Sequence, residues 1–186
     1  MSTNQVKFPL IREELLKMYE KDQYVRIHGD FNQPSTSLGM AKVDLKHQKR
    51  LVKILDIIKT PSVKNIGLDG AEVVWIIAQH AGFNLSLMKQ VLDLMEKCTS
   101  KDVKNGYYRG IAYLTDRINV MEGNNQVYGT QFWASPNGVP EPYPIVDFEN
   151  IDERRSKFGL ESFNEYKKYI VEASELTKRP VYHIVY

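Results

Sequence analysis

The chain has 186 residues, 42% of them hydrophobic and 26% charged, with a net charge of +2. That length suits one domain with a real core, and so small a charge gives no case for nucleic acid or an anionic membrane as partner. A single cysteine, Cys98, excludes an internal disulfide and points to a reducing, cytoplasmic setting, while no apolar run approaches the ~20 residues a membrane span needs.

Residues 8–24 read as a first helix, because Ile11, Leu15 and Met18 recur at helical spacing. Asp22 and Arg26 continue that stripe. Either the helix leaves the core at a polar pocket, or the two form a surface i,i+4 pair. Residues 29–42 hold Gly29, Pro34, Ser35, Ser37 and Gly39 and read as a loop, longer than a typical connection, which allows a lid or a disordered segment. Residues 43–59 read as a second helix with Leu51, Leu55 and Ile58 inward. Its stripe runs back to His47, taken as a partly exposed helix residue, and to Asp44, an N-cap or a site member.

Residues 61–67 read as a loop. Asp69 with Glu72 has the spacing of a capping box. The third helix that follows is apolar nearly all round from Val73 to Ala78, the mark of a central helix. Gln79 and His80 lie in its last turn, and Gly82 ends it. Asn84 caps a fourth helix over 85–98, with Leu85, Met88, Val91, Leu92 and Met95 inward. The short connection makes the third and fourth helices antiparallel neighbours. After a polar turn over 100–105, a fifth helix spans 106–121, with Asp116 and Arg117 near its end.

Residues 127–147 differ in kind. A strand-like piece and a proline-rich piece flank Ser135-Pro136-Asn137-Gly138, a good turn sequence, so a small hairpin or extended loop is expected. Residues 151–158 read as a short helix. Ser162 with Glu165 forms a second capping box that opens a last helix over 163–178. The apolar tail, 179–186, is expected to dock on the body. The expected fold is therefore mainly α: a single-domain bundle of about six or seven helices, spanning 1–186, with the hairpin or loop at one pole.

Helices alternating up and down would bring Asp22, Gln23, Arg26, Asp44, Gln79, His80, Asp116, Arg117, Tyr128, Thr130, Gln131 and Arg155 to that pole. His80 is the candidate general acid/base, since an imidazole titrates near neutrality, and Asp116 is its candidate orienting carboxylate. No activated nucleophile stands out, so water activated by His80 is the simplest attacking group. Arg117, Arg155 and Arg26 would hold an anionic group. Gln79 and Gln131 would read an amide, a sugar or a base edge. No zinc, EF-hand, Walker A, dinucleotide-binding or nucleic-acid-binding pattern is present, so no cofactor or metal is expected. The sequence does not specify an oligomeric state.

Gln79-His80-Ala81, Leu114-Thr115-Asp116-Arg117, Tyr128-Gly129-Thr130-Gln131 and Arg154-Arg155 with Gly159-Leu160 occur in that order, preceded by Asp22, Gln23, Arg26 and Asp44. Over residues 10–165 the chain resembles a bacterial family catalogued only as a domain of unknown function. Where that family tends to carry Asn, this chain has His47. The resemblance implies a shared site and supplies no chemistry. The expected function is a hydrolase or transferase acting on a small anionic molecule. The alternative is a non-catalytic module that binds a small ligand or peptide in the same pocket, and a third reading makes the pole a structural brace.

Overall fold

The computed structural model describes residues 6–29, 33–82, 84–98 and 106–177. Seven α-helices occur among them: α1 (Pro9–Ile27), α2 (Pro34–Ile58), α3 (Val63–Gln79), α4 (Leu85–Glu96), α5 (Gly106–Met121), α6 (Ile151–Lys157) and α7 (Phe163–Thr177). Two short strands, β1 (Phe132–Ala134) and β2 (Pro140–Pro142), pair antiparallel, with Trp133 opposite Glu141. The fold is mainly α with a small hairpin, as the periodicity indicates. The chain divides into two compact units, residues 1–114 and 115–186. The expected polar turn at 100–105 and the docked tail at 179–186 lie outside the described residues.

In the first unit α3 is the central helix, packed against α1, α2 and α4. Val73, Val74, Ile77 and Ala78 are all buried, which is what an all-round apolar helix requires. Its entry differs from the capping box expected at Asp69. Ser62 is the N-cap, its hydroxyl accepting from the Asn65 N–H at 3.3 Å. One turn later Gly67, at φ 77°, kinks the helix. Asp69 is occupied instead by Arg12, whose guanidinium donates to both its carboxylate oxygens. In α4 it is Leu87, rather than Leu85, that is buried beside Met88, Val91 and Met95.

The larger correction concerns residues 29–42. They are not a loop throughout, because α2 begins at Pro34. Proline is favoured in the first helical turn, where its missing N–H has no intrahelical partner to lose. Composition rich in Pro, Ser and Gly hides that start.

In the second unit Phe132, Ile151, Leu160, Phe163, Tyr166 and Ile170 are buried. The Phe132 and Phe163 rings stack with centroids 6.3 Å apart. Ser162 and Glu165 form the reciprocal capping box: the Ser162 N–H donates to the Glu165 carboxylate and the Glu165 N–H to the Ser162 hydroxyl. The hairpin turn is held by Ser135, whose hydroxyl bonds Asn137 and the Val139 carbonyl. No helix among the described residues is long and apolar enough to cross a membrane.

Candidate functional site

The polar residues fall into two clusters, one in each unit. In the first unit the last turns of α1 carry Asp22 and Arg26 on one face, four residues apart. Asp22 is 1% exposed. Its carboxylate accepts from Arg26 Nη1 at 2.7 Å, from His80 Nδ1 at 3.1 Å to each oxygen, and from Gln23 Nε2 at 3.0 Å. Arg26 then reaches across to α2, donating from Nη2 to Asp44 Oδ1 at 2.8 Å. A continuous chain of bonds thus runs His80, Asp22, Arg26, Asp44. The alternative of a surface i,i+4 pair for Asp22 and Arg26 is overturned, since Arg26 is only 8% exposed.

The electrostatics separate the two carboxylates. Burial pushes the Asp22 carboxyl up, but the His80 hydrogen bond and the His80 and Arg26 charges outweigh it, and the group lies below the usual carboxylate range. Asp44 is pushed up by burial, and Arg26 recovers only part of that. Two carboxylates pushed in opposite directions are a mark of acid/base sites.

His47 departs from its expected place as a partly exposed residue. It is 6% exposed, one helical turn past Asp44, and its Nδ1 has no hydrogen-bond partner. Burial pushes its pKa below the ordinary histidine value, against the pull of Asp22 and Asp44. A neutral buried histidine makes stability fall with acid, because the unfolded chain takes up a proton near pH 6.5 and the folded chain does not. Stability is thus expected to drop as pH falls from about 6.5 toward the depressed folded value. Urea denaturation of the wild type and His47→Gln between pH 8 and pH 5 checks this. A slope unchanged by the substitution would refute it. Gln79 is likewise buried, 5% exposed, with Oε1 unpartnered.

The second cluster is built around Asp116 of α5, which is fully buried. One oxygen accepts the Val127 N–H at 2.7 Å and the Tyr128 N–H at 3.0 Å. The other accepts the Thr130 N–H at 2.9 Å and the Thr130 hydroxyl at 3.0 Å. Burial still leaves the carboxyl above its ordinary value. Gly129 is at φ 68°, and a Cβ there would come within 2.7 Å of the Phe163 ring. Only glycine lets the chain curl around one carboxylate in this way.

Arg155, 1% exposed, donates from Nη1 to the Tyr128 carbonyl at 2.6 Å and from Nε to the Glu161 carbonyl at 2.7 Å, and lies over the Tyr166 ring. Gln126, which sequence reasoning missed, is 0% exposed. Its side chain bonds the backbone of both Gln131 and Tyr143. A glutamine with both ends on main chain has no sequence pattern to betray it. The Gln131 side chain bonds the Thr130 hydroxyl. Arg117 is half-buried, with Nε unpartnered, and burial lowers its pKa.

These contacts reassign two expected roles. The carboxylate at His80 is Asp22, and Asp116 spends both its oxygens on the 127–130 turn. The guanidinium groups of Arg26 and Arg155 are directed at internal carboxylates and carbonyls, so neither is an open clamp for an anion. Among the described residues no group of three or more His, Cys, Asp or Glu side chains is arranged to hold a metal ion.

A family model described as a family of unknown function, DUF6624, matches residues 9–179. The chain belongs to the DUF6624 family. No curated protein and no solved structure matches it. The match takes in both clusters of this DUF6624 member, and it brings a family without an activity.

Proposed function

We propose that this DUF6624 member is an enzyme of hydrolase or transferase type, in which His80 is the general acid/base and Asp22 orients it. The observation that carries the reading is His80 Nδ1 lying 3.1 Å from both oxygens of a buried carboxylate. A carboxylate held ionised can only accept, so Nδ1 carries the hydrogen and Nε2 is the nitrogen at which the working proton comes and goes. Nε2 then takes a proton from water as that water attacks an electrophilic centre, and returns it to the leaving group. The imidazolium formed between those steps is stabilised by Asp22.

The charges at the site bear on the class of substrate in this reading. Asp22 and Asp44 face Arg26 and His80, so the two carboxylates match the two basic groups and no positive charge is left over to attract an anion. A neutral or cationic small molecule fits this balance better than the anion suggested by the arginines alone. A cytoplasmic setting, expected from the single cysteine, belongs to the same reading. The alternative is a module that binds a small ligand or peptide without turning it over. The near-complete burial of Asp22 favours it, because only the His80 edge of the pair is left to meet a ligand.

His80→Ala separates the two. With a substrate found by thermal-shift screening of metabolites, the variant is expected to lose turnover by on the order of 10²–10⁴-fold. Ligand affinity should change by less than about tenfold, ~1.4 kcal/mol. Turnover retained in His80→Ala would overturn the catalytic reading.

A further inference from the structure

The outward face of α2 carries two rows of side chains. One row is Leu38, Ala41, Leu45, Gln48 and Val52, and the other is Lys42, Lys46, Lys49 and Lys53. We infer that this face is a docking surface for an acidic amphipathic helix of a partner protein. The inference is independent of the chemistry proposed for His80, because it uses none of the residues of that cluster.

Exposure sets the first condition. Leu38 is 58% exposed, Leu45 53% and Val52 40%, while Met40, His47, Leu51, Ile54 and Ile58 fill the opposite, buried face. The helix is therefore apolar on the side that meets its unit and carries a second apolar row on the side that does not. Burial in the fold accounts for the first row only.

Spacing sets the next. The row 38, 41, 45, 48, 52 advances by alternate steps of three and four, which is the seam of a coiled coil. Such a seam is narrower than the broad stripe by which a helix beds into a core. At 1.5 Å per residue it runs about 21 Å along α2, the length of a partner helix of about four turns.

Charge then selects the partner. Lys17, Lys97 and Lys157, on other helices, each meet a carboxylate four residues back. The four lysines of α2 are all exposed, and none makes an ion pair with a described residue. Their spacings of three and four set like charges side by side, which costs helix stability. A row of carboxylates on a partner removes that cost. Lys42 and Lys49 hold the position beside the seam that faces the charges of the other helix in a coiled coil. Asp56, the acidic residue exposed on this face, lies beyond Val52 at the end of the seam. A second copy of the chain laid antiparallel would set lysine row against lysine row. A bilayer surface asks for a broad apolar face, whereas here the apolar row is narrow and the lysines stand on one side of it only.

The test uses a synthetic peptide of three heptads with Leu at a, Ala at d and Glu at e and g, mixed with the full chain and followed by amide chemical shifts. Shifts are expected along residues 38–53, with binding at least tenfold weaker in high salt than in low salt. The same peptide with Lys at e and g is expected not to bind. The double variant Lys46→Glu, Lys49→Glu should weaken binding at least tenfold, and Leu45→Ser at least fivefold. These side chains are exposed, so both variants should melt no lower than the wild type. Lys167→Glu, on α7, is the control and should bind within twofold of the wild type. No shifts at millimolar peptide, equal binding of the Lys peptide, or unchanged binding in both α2 variants would each overturn the inference. So would a chain that dimerises through this face in sedimentation, or one that binds vesicles of phosphatidylcholine and phosphatidylserine but not the peptide.

Discussion

Asp116→Ala is expected to lower folding stability by about 3–5 kcal/mol, measured by urea denaturation of the full chain. The carboxylate is the shared acceptor for three backbone N–H groups and a hydroxyl from the 127–130 turn. Each buried donor left without a partner costs about 1–3 kcal/mol, and the turn can recover only part of that by admitting water. Asp116→Asn keeps one acceptor oxygen but sets an amide NH₂ against the remaining N–H donors, so its loss should be smaller, about 2 kcal/mol. A loss under about 1 kcal/mol in Asp116→Ala would mean that the turn does not depend on the carboxylate.

Asp22→Ala should cost nearly as much, about 3 kcal/mol or more, because breaking a buried ion pair strands the remaining charge. Arg26, with 9% of its side chain exposed, would keep Asp44 as its carboxylate partner, and His80 Nδ1 would lose the carboxylate that accepts from it. The comparison variant is Glu14→Ala. Glu14 pairs with Arg50, but both side chains are 38% exposed, and a pair so wet is worth about 0–1 kcal/mol. Equal losses in the two variants would contradict the burial argument. The acid dependence has a definite sign. Asp22 has a folded pKa below its ordinary 3.8, so its contribution is complete above about pH 4 and disappears as pH falls through the folded value. Asp44, shifted the other way, makes stability rise relative to Asp44→Asn as pH falls from its raised folded value toward 3.8.

Much of the fold is legible in local patterns. The fifth helix spans 106–121 in both readings, because Ile111, Leu114 and Ile118 keep one face and Gly123 at φ 78° follows its end. The Ser162–Glu165 box marks the start of α7, since its partners are three residues apart and their geometry is local. The start of α2 is less legible, because Pro34, Ser35 and Gly39 suit a turn as well as a first helical turn.

Periodicity and capping in the sequence determined the number and kind of elements, the central place of α3, and which polar residues sit where a helix should be apolar. Only the tertiary structure decided which of those residues meet. A reading of the sequence pairs His80 with Asp116, and it is Asp22 that meets it, since a carboxylate has no directional signature in a sequence. The choice depends on which donors lie within about 3 Å in space, and for Asp116 those donors are main-chain N–H groups, which every non-proline residue carries. The same reason hid the commitment of Arg155 to carbonyls and the burial of His47. A guanidinium or an imidazole looks available until the chain packs around it and removes water as its competitor.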